Sequence, residues 1–285
     1  MKEKESVVFW AVVILIASSL ACGSVGWAGV RGSGRVTEQE IRLDHFDGVE
    51  LATVGNLIIE IGNEESLRIE AEDNLIDYFD VSVRGARLEI RNQPGVNLRP
   101  TRPIYFYLTA KSLDEIVLSG SGDIEAPDLE STELVVTIGG SGKVVLEDVA
   151  ADEVTMRIGG SGDMRAASIA AQELSITIGG SGEIDIASVE ADTLEVRLPG
   201  SGSVSLAEGE VGKQTVTIGG SGDYKARDMN SAEAEVRISG SGAATLKVDS
   251  FLDVHIAGSG DVHYVGNPTV EKSLPGSGSV SRIGN

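Results

Sequence analysis

The sequence holds one cysteine, seven prolines and 4% aromatic residues, with 23 basic side chains against 44 acidic ones in 285 residues. A lone Cys22 excludes an internal disulfide. The net charge of −21 argues against nucleic acid, because phosphate neutralisation needs clustered lysine and arginine. No basic run is present to hold an anionic membrane surface. No glycine loop follows the phosphate-binding or dinucleotide spacings. What is abundant is glycine, at 36 residues, and an apolar fraction of 41%, enough for a core.

The first thirty residues carry no charge from Val7 to Val30. Val7 to Ala17 has the length of a signal-peptide core, and Ser19-Leu20-Ala21 forms a small-residue cleavage tripeptide. Residues 1–21 therefore read as a signal peptide, with a retained N-terminal anchor as the alternative. Ser19-Leu20-Ala21-Cys22 loosely resembles a lipobox with its leucine one place late, which makes Cys22 a weaker candidate for lipidation. Residues 22–39 read as a linker. Any membrane contact is expected only through the N-terminal segment, if retained, or a lipid anchor.

Gly-Ser-Gly recurs at 120–122 and every twenty residues to 240–242, then at 258–260 and 276–278. A period of this size signals a solenoid, propeller or array. Aligned copies give apolar columns: Leu134, Val154, Leu174, Leu194; then Val136, Met156, Ile176, Val196; then Ile138, Ile158, Ile178, Leu198. The columns sit two residues apart, which is a strand with one buried face. A second alternation follows the corner at Ile124, Val144, Met164, Ile184, Val204 and Tyr224, and a third inward point comes near Leu129, Val149, Ile169 and Val189. The segments are too short for helices, and twenty residues make half a propeller blade but one turn of a coil. The expected fold is all-β: a single-stranded, right-handed parallel β-helix of ~20-residue coils. Residues 40–285 form it, with irregular coils over 40–118 and regular ones over 119–285. The corner glycines are expected to supply φ > 0 turns and to spare room where corners stack, with serine bonding nearby backbone.

A family resemblance rests on the exported N-terminus, "FDGVELATVGNLIIEIGNEESLRIEAEDNLID" (46–77), "LEIRN" (88–92), and "GSGD" at 120–123, 160–163, 220–223 and 258–261. Together these resemble the bacterial "putative auto-transporter adhesin, head GIN domain" family. The resemblance implies a pectin-lyase-like β-helix, no established catalytic residues and an adhesion role.

Three constellations are candidate sites. Thr137, Arg157, Thr177, Arg197, Thr217, Arg237 and His255 form one outward column. Arg157, Arg197 and Arg237 would stand about 9.6 Å apart and could grip acidic sugars, or simply pair with Glu195 and Glu235. The corner acids Asp123, Asp163, Asp223 and Asp261 could bind calcium, although turn aspartates more commonly bond backbone. His255 and His263 could meet around one corner, but two histidines make a thin zinc site. Neither a metal nor a cofactor is assigned.

The expected function is an exported, non-catalytic binding or adhesion module of the periplasm, outer membrane or cell surface of a bacterium. Its expected partner is a glycan or another envelope component. A carbohydrate-active enzyme of pectin-lyase-like type and a purely structural envelope protein are the alternatives.

Overall fold

The computed structural model describes residues 29–284; residues 1–21, expected to be a signal peptide, and Cys22 lie outside the described residues. The chain folds as an all-β parallel solenoid. Gly48–Ala52 and Asn56–Ile61 make the first coil. Glu115–Leu118 and Asp123–Ala126 stack on it in parallel, with Glu115 opposite Gly48 and Asp123 opposite Asn56. Each later coil then lies twenty residues further along: Ile138 pairs with Ile158, and Ile158 with Ile178. Lys143–Ile158, Asp163–Ile178, Glu183–Leu198 and Ser203–Ile218 each run as sixteen strand residues between corners. From Glu233 onward the step to the next coil shortens to eighteen, as in Glu233 opposite Phe251, Ala243 opposite Asp261 and Asp261 opposite Ser279.

The core is a set of columns running the length of the solenoid. Val136, Met156, Ile176, Val196, Val216 and Val236 are all fully buried, as are Ile124, Val144, Met164, Ile184 and Val204. Burying one such side chain contributes about 1.5–3 kcal/mol, and the stack repeats that gain at every turn. One stretch departs from the pattern. At the third inward point Gly209 replaces the valine of the coil below, with φ +130°, and Val211 becomes the buried residue instead. In the next columns Gln214, Tyr224 and Ser231 are buried. They satisfy one another: the Tyr224 hydroxyl donates to Gln214 Oε1 at 2.8 Å, Gln214 Nε2 donates to Ser231 Oγ at 2.6 Å, and Ser231 Oγ donates to the Lys247 carbonyl at 2.8 Å. Burial pushes the Tyr224 phenol well above its ordinary pKa, so it stays a neutral donor. Small side chains, Ala234 and Ala244, stand in register over Gln214 and Tyr224.

Between the first two coils the chain does something the period-2 pattern does not reveal. Arg87–Asn92 and Tyr105–Ala110 stack in parallel on the free side of the first coil. Ser66–Glu72 and Phe79–Arg84 then pair with them antiparallel, and Val36–Arg42 pairs antiparallel with Ser66–Glu72. Residues 66–110 are thus a lid on one end of the solenoid, and only some of these strands continue its parallel stack. Three of the chain's phenylalanines, Phe46, Phe79 and Phe106, are buried here, and Phe79 meets Phe106 edge-on at 5.1 Å. Wide rings plug an end that a column of valines would leave open.

The lid is locked by Glu72, which is fully buried. Its carboxylate accepts from the Gly34 N–H at 2.6 Å, the Thr101 N–H at 2.8 Å, the Thr101 hydroxyl at 2.5 Å and the Arg102 N–H at 3.4 Å. Desolvation works to raise its pKa, but the bonds from Thr101, Gly34 and Arg102 outweigh it and hold the carboxyl below its usual range. Asp73 and Asn74 extend the clasp, taking Ser33 Oγ at 2.5 Å and Ser33 N–H at 2.8 Å.

The corner glycines serve stacking, not turning. None of the Gly-Ser-Gly glycines has a left-handed φ, so the expected φ > 0 role is corrected. A Cβ added to Gly180 would lie 1.8 Å from the Gly160 carbonyl oxygen, and one on Gly182 1.9 Å from that of Gly162. By contrast, the preceding position is open: a Cβ on Gly179 would come no nearer than 3.9 Å, to the Ile158 carbonyl oxygen. That is why Pro199 and Ser239 are accommodated there.

Gly180→Ala should therefore destabilise by at least about 3 kcal/mol, while Gly179→Ala should stay within about 1 kcal/mol, measured by thermal or urea melts. Glu72→Gln should cost about 2–3 kcal/mol of lid stability. Because the folded-state pKa of Glu72 is depressed, its contribution is present above the unfolded value and fades as pH falls below about 4.3. Protection of the Gly34 and Thr101 amides, relative to their intrinsic exchange at each pH, should fall in that acid range in the native chain, and already at neutral pH in the variant.

Candidate functional site

The outward column is in register throughout. Thr137 stands opposite Arg157, Arg157 opposite Thr177, Thr177 opposite Arg197, Arg197 opposite Thr217, Thr217 opposite Arg237, and Arg237 opposite His255. Strand alternation points these side chains away from the core, and the arginines are exposed. Arg197 pairs with Glu195, and Arg237 with Glu235, two residues earlier on the same strand. Arg157 has Thr155 at that place and no acidic partner among the described residues. The three guanidiniums are therefore not equivalent: two are partly neutralised, and one is free to meet an anion.

The corner aspartates are engaged by backbone. Asp123 Oδ1 accepts from the Lys143 N–H at 2.8 Å, Asp163 from the Glu183 N–H at 3.1 Å, Asp223 from the Ala243 N–H at 3.1 Å, and Asp261 from the Ser279 N–H at 2.9 Å. In each case the acceptor is one coil below its donor. Where the lower coil carries Lys143 or Glu183 instead, the next amide goes to a glycine carbonyl: Asp163 N–H to Gly142, and Ser203 N–H to Gly182. The two arrangements exchange freely, which accounts for the missing aspartates. Asp261 also takes the Ser279 hydroxyl at 2.6 Å, and these two bonds hold its carboxyl below the usual range.

The histidines serve separate places. His255 extends the arginine column, whereas His263 stands on the other face with Nδ1 2.8 Å from Ser281 Oγ. His45 bonds Glu65 at 2.7 Å beside the lid. Among the described residues no group of three His, Cys, Asp or Glu is placed to hold a metal ion.

Sequence reasoning missed a depression of about 540 Å³ on a lateral face, over residues 185–187 and 205–207 of the strands Glu183–Leu198 and Ser203–Ile218. Its floor includes Ala187, Ala207 and Leu206; its rim carries Arg165, Lys225 and Arg227 together with Asp185 and Asp228. Its signal was present in the repeat alignment. The outward position that holds Glu147 and Arg227 in flanking coils is alanine at 167, 187 and 207. Three small residues in register leave a notch one side chain deep. Arg165 meets Asp185 at 3.6 Å, and Lys225 has no acidic partner among the described residues.

With this geometry in view, comparison with known proteins is informative. The family model described as "Putative auto-transporter adhesin, head GIN domain" matches residues 45–169 and 157–268. A solved "putative adhesin" from Parabacteroides distasonis ATCC 8503 is 18% identical, with a TM-score of 0.68 over 90% of this chain and 100% of that one. One from Parabacteroides merdae ATCC 43184 is 19% identical, with a TM-score of 0.69 over 90% and 99%. At such identity these two speak for the fold. A "Putative lipid binding protein" from Parabacteroides distasonis ATCC 8503 is 26% identical, with a TM-score of 0.66 over 89% and 99%. No curated protein matches the chain.

Proposed function

Because the chain belongs to the "putative auto-transporter adhesin, head GIN domain" family, we propose that it is an exported, non-catalytic binding module of the bacterial envelope that works by display. The observation that carries this reading is the outward column from Thr137 to His255, which repeats hydroxyl and guanidinium groups in strict register along a stiff stack. Parallel ladders fix the spacing at about 4.8 Å per coil, so a repetitive ligand meets an equally repetitive surface. Each single contact is weak, and several engaged at once multiply by effective concentration. An extended polysaccharide with spaced carboxylates fits that arrangement, with Arg157 as the strongest contact because its charge is not shared.

A second reading is binding of an anionic amphiphile in the depression around Ala187 and Ala207. Its apolar floor and Lys225, unpaired among the described residues on a rim of mixed charge, favour it, and so does the name of the 26% identical relative. Filling the floor with Ala187→Trp and Ala207→Trp should abolish uptake of a fatty acid or lysophospholipid in a fluorescence displacement assay. Unchanged uptake would reject that site.

The display reading is tested on an array of envelope polysaccharides. The triple variant Arg157→Ala, Arg197→Ala, Arg237→Ala should lose binding about ten-fold or more, with an unchanged melting transition. Arg157→Ala alone should account for the largest single share. Full binding by the triple variant would remove this face from consideration.

A further inference from the structure

The lid closes one end of the described solenoid; its last described rung is Thr269–Ser273 and Ser279–Arg282. Among the described residues each of these strands pairs on one side only, with Phe251–Ile256 and Asp261–Val265. An unpaired parallel rung is a template on which another strand can add. The inward columns change character at this last rung. Val236 is followed in register by Val254 and then by Lys272. On the second face Ala226 is followed by Leu246, Tyr264 and then Arg282. Two columns that run apolar through the coils below therefore end on cations. Both cations are exposed, and neither has an ion-pair or hydrogen-bond partner among the described residues. The neighbouring inward positions stay apolar: Val270 lies in register over Leu252 and Val280 over Val262, each half-buried.

Length explains why these charges are Lys and Arg in a chain with almost twice as many acids. Long aliphatic stems can lie over the end of the core while the charged heads reach water. A further rung stacked here would bury both heads against Val254 and Tyr264, and unpaired buried charge is strongly unfavourable. We propose that Lys272 and Arg282 close this end of the solenoid by charge, forbidding a second copy from adding its strands there and confining the chain's contacts to its lateral faces. This inference is independent of which ligand those faces bind.

The test compares three forms of the 285-residue chain by sedimentation over a range of concentrations: the native chain, Lys272→Val/Arg282→Leu, and Lys272→Glu/Arg282→Glu. The native and glutamate proteins should remain monomeric, because either sign of charge blocks stacking. The apolar protein should associate while keeping its strand spectrum, with new amide protection confined to Thr269–Ser273 and Ser279–Arg282. The proposal is overturned if the apolar protein stays monomeric, if the glutamate protein associates equally, or if association appears only with loss of strand signal.

Discussion

Everything in this molecule depends on how closely one corner can lie on the next. The Ser161 N–H bonds the Gly140 carbonyl at 3.2 Å, and that same oxygen is where a Cβ on Gly160 would fall, at 2.1 Å. The pattern repeats at Ser181 over Gly160 and Ser201 over Gly180. The hydrogen bond and the side chain compete for one volume, and the bond is what continues the ladder around the turn. Glycine is therefore selected by stacking, at positions whose φ any residue could adopt. Once corners pack at ladder distance, the isoleucines two residues before them must also stack directly, and the columns of the core follow.

This constraint explains which parts of the fold were legible. The twenty-residue period and the period-2 columns are direct consequences of stacking, so they can be read from residue identity alone. The lid is another matter. Alternation in "SLRIEAE" and "FDVSV" looks the same whether the strand pairs parallel or antiparallel, because alternation records burial and not direction. Nor does sequence order show that residues 66–110 lie beyond the first coil and not between it and the second. The stretch "EAEDNLID" marked the family resemblance without a physical reason. The structure supplies one: Glu72, Asp73 and Asn74 clasp residues 33–34, and Glu72 also holds Thr101 and Arg102. For the candidate site, the register of the arginine column was fully readable, and so was the pairing of Arg197 and Arg237. The depression at Ala187 and Ala207 is not legible in the same way, because a notch is made by side chains that are small and carries no charge or apolar column of its own.

The two ends and the two lateral faces answer different problems. An end must stop the ladder, and it does so with a buried carboxylate and three rings at one extremity and with two long cations at the other. Faces must tolerate repetition, and although Glu133, Glu153 and Glu173 stack in register, other columns avoid stacking like charges. Threonine between arginines achieves this, as does Lys143 between Asp123 and Asp163. Neither solution draws on the other, so ends and faces can vary separately while the corner rule holds.

The location of irregularity bears on chemistry. Catalysis needs a few groups held in one unequal arrangement, with acid and base in different environments. In this solenoid the sharpest break in the repeat is the trio Gln214, Tyr224 and Ser231, and it faces inward, fully hydrogen-bonded and shut off from solvent. A closed polar network of that kind favours one register, since sliding the stack by one turn would part its donors from their acceptors. On the outside, departures from the repeat are gradual and face solvent: a threonine for an arginine, an alanine for a glutamate. Variation that is specific on the inside and graded on the outside suits a surface that binds by summing many similar contacts, with the interior responsible for keeping those contacts in line.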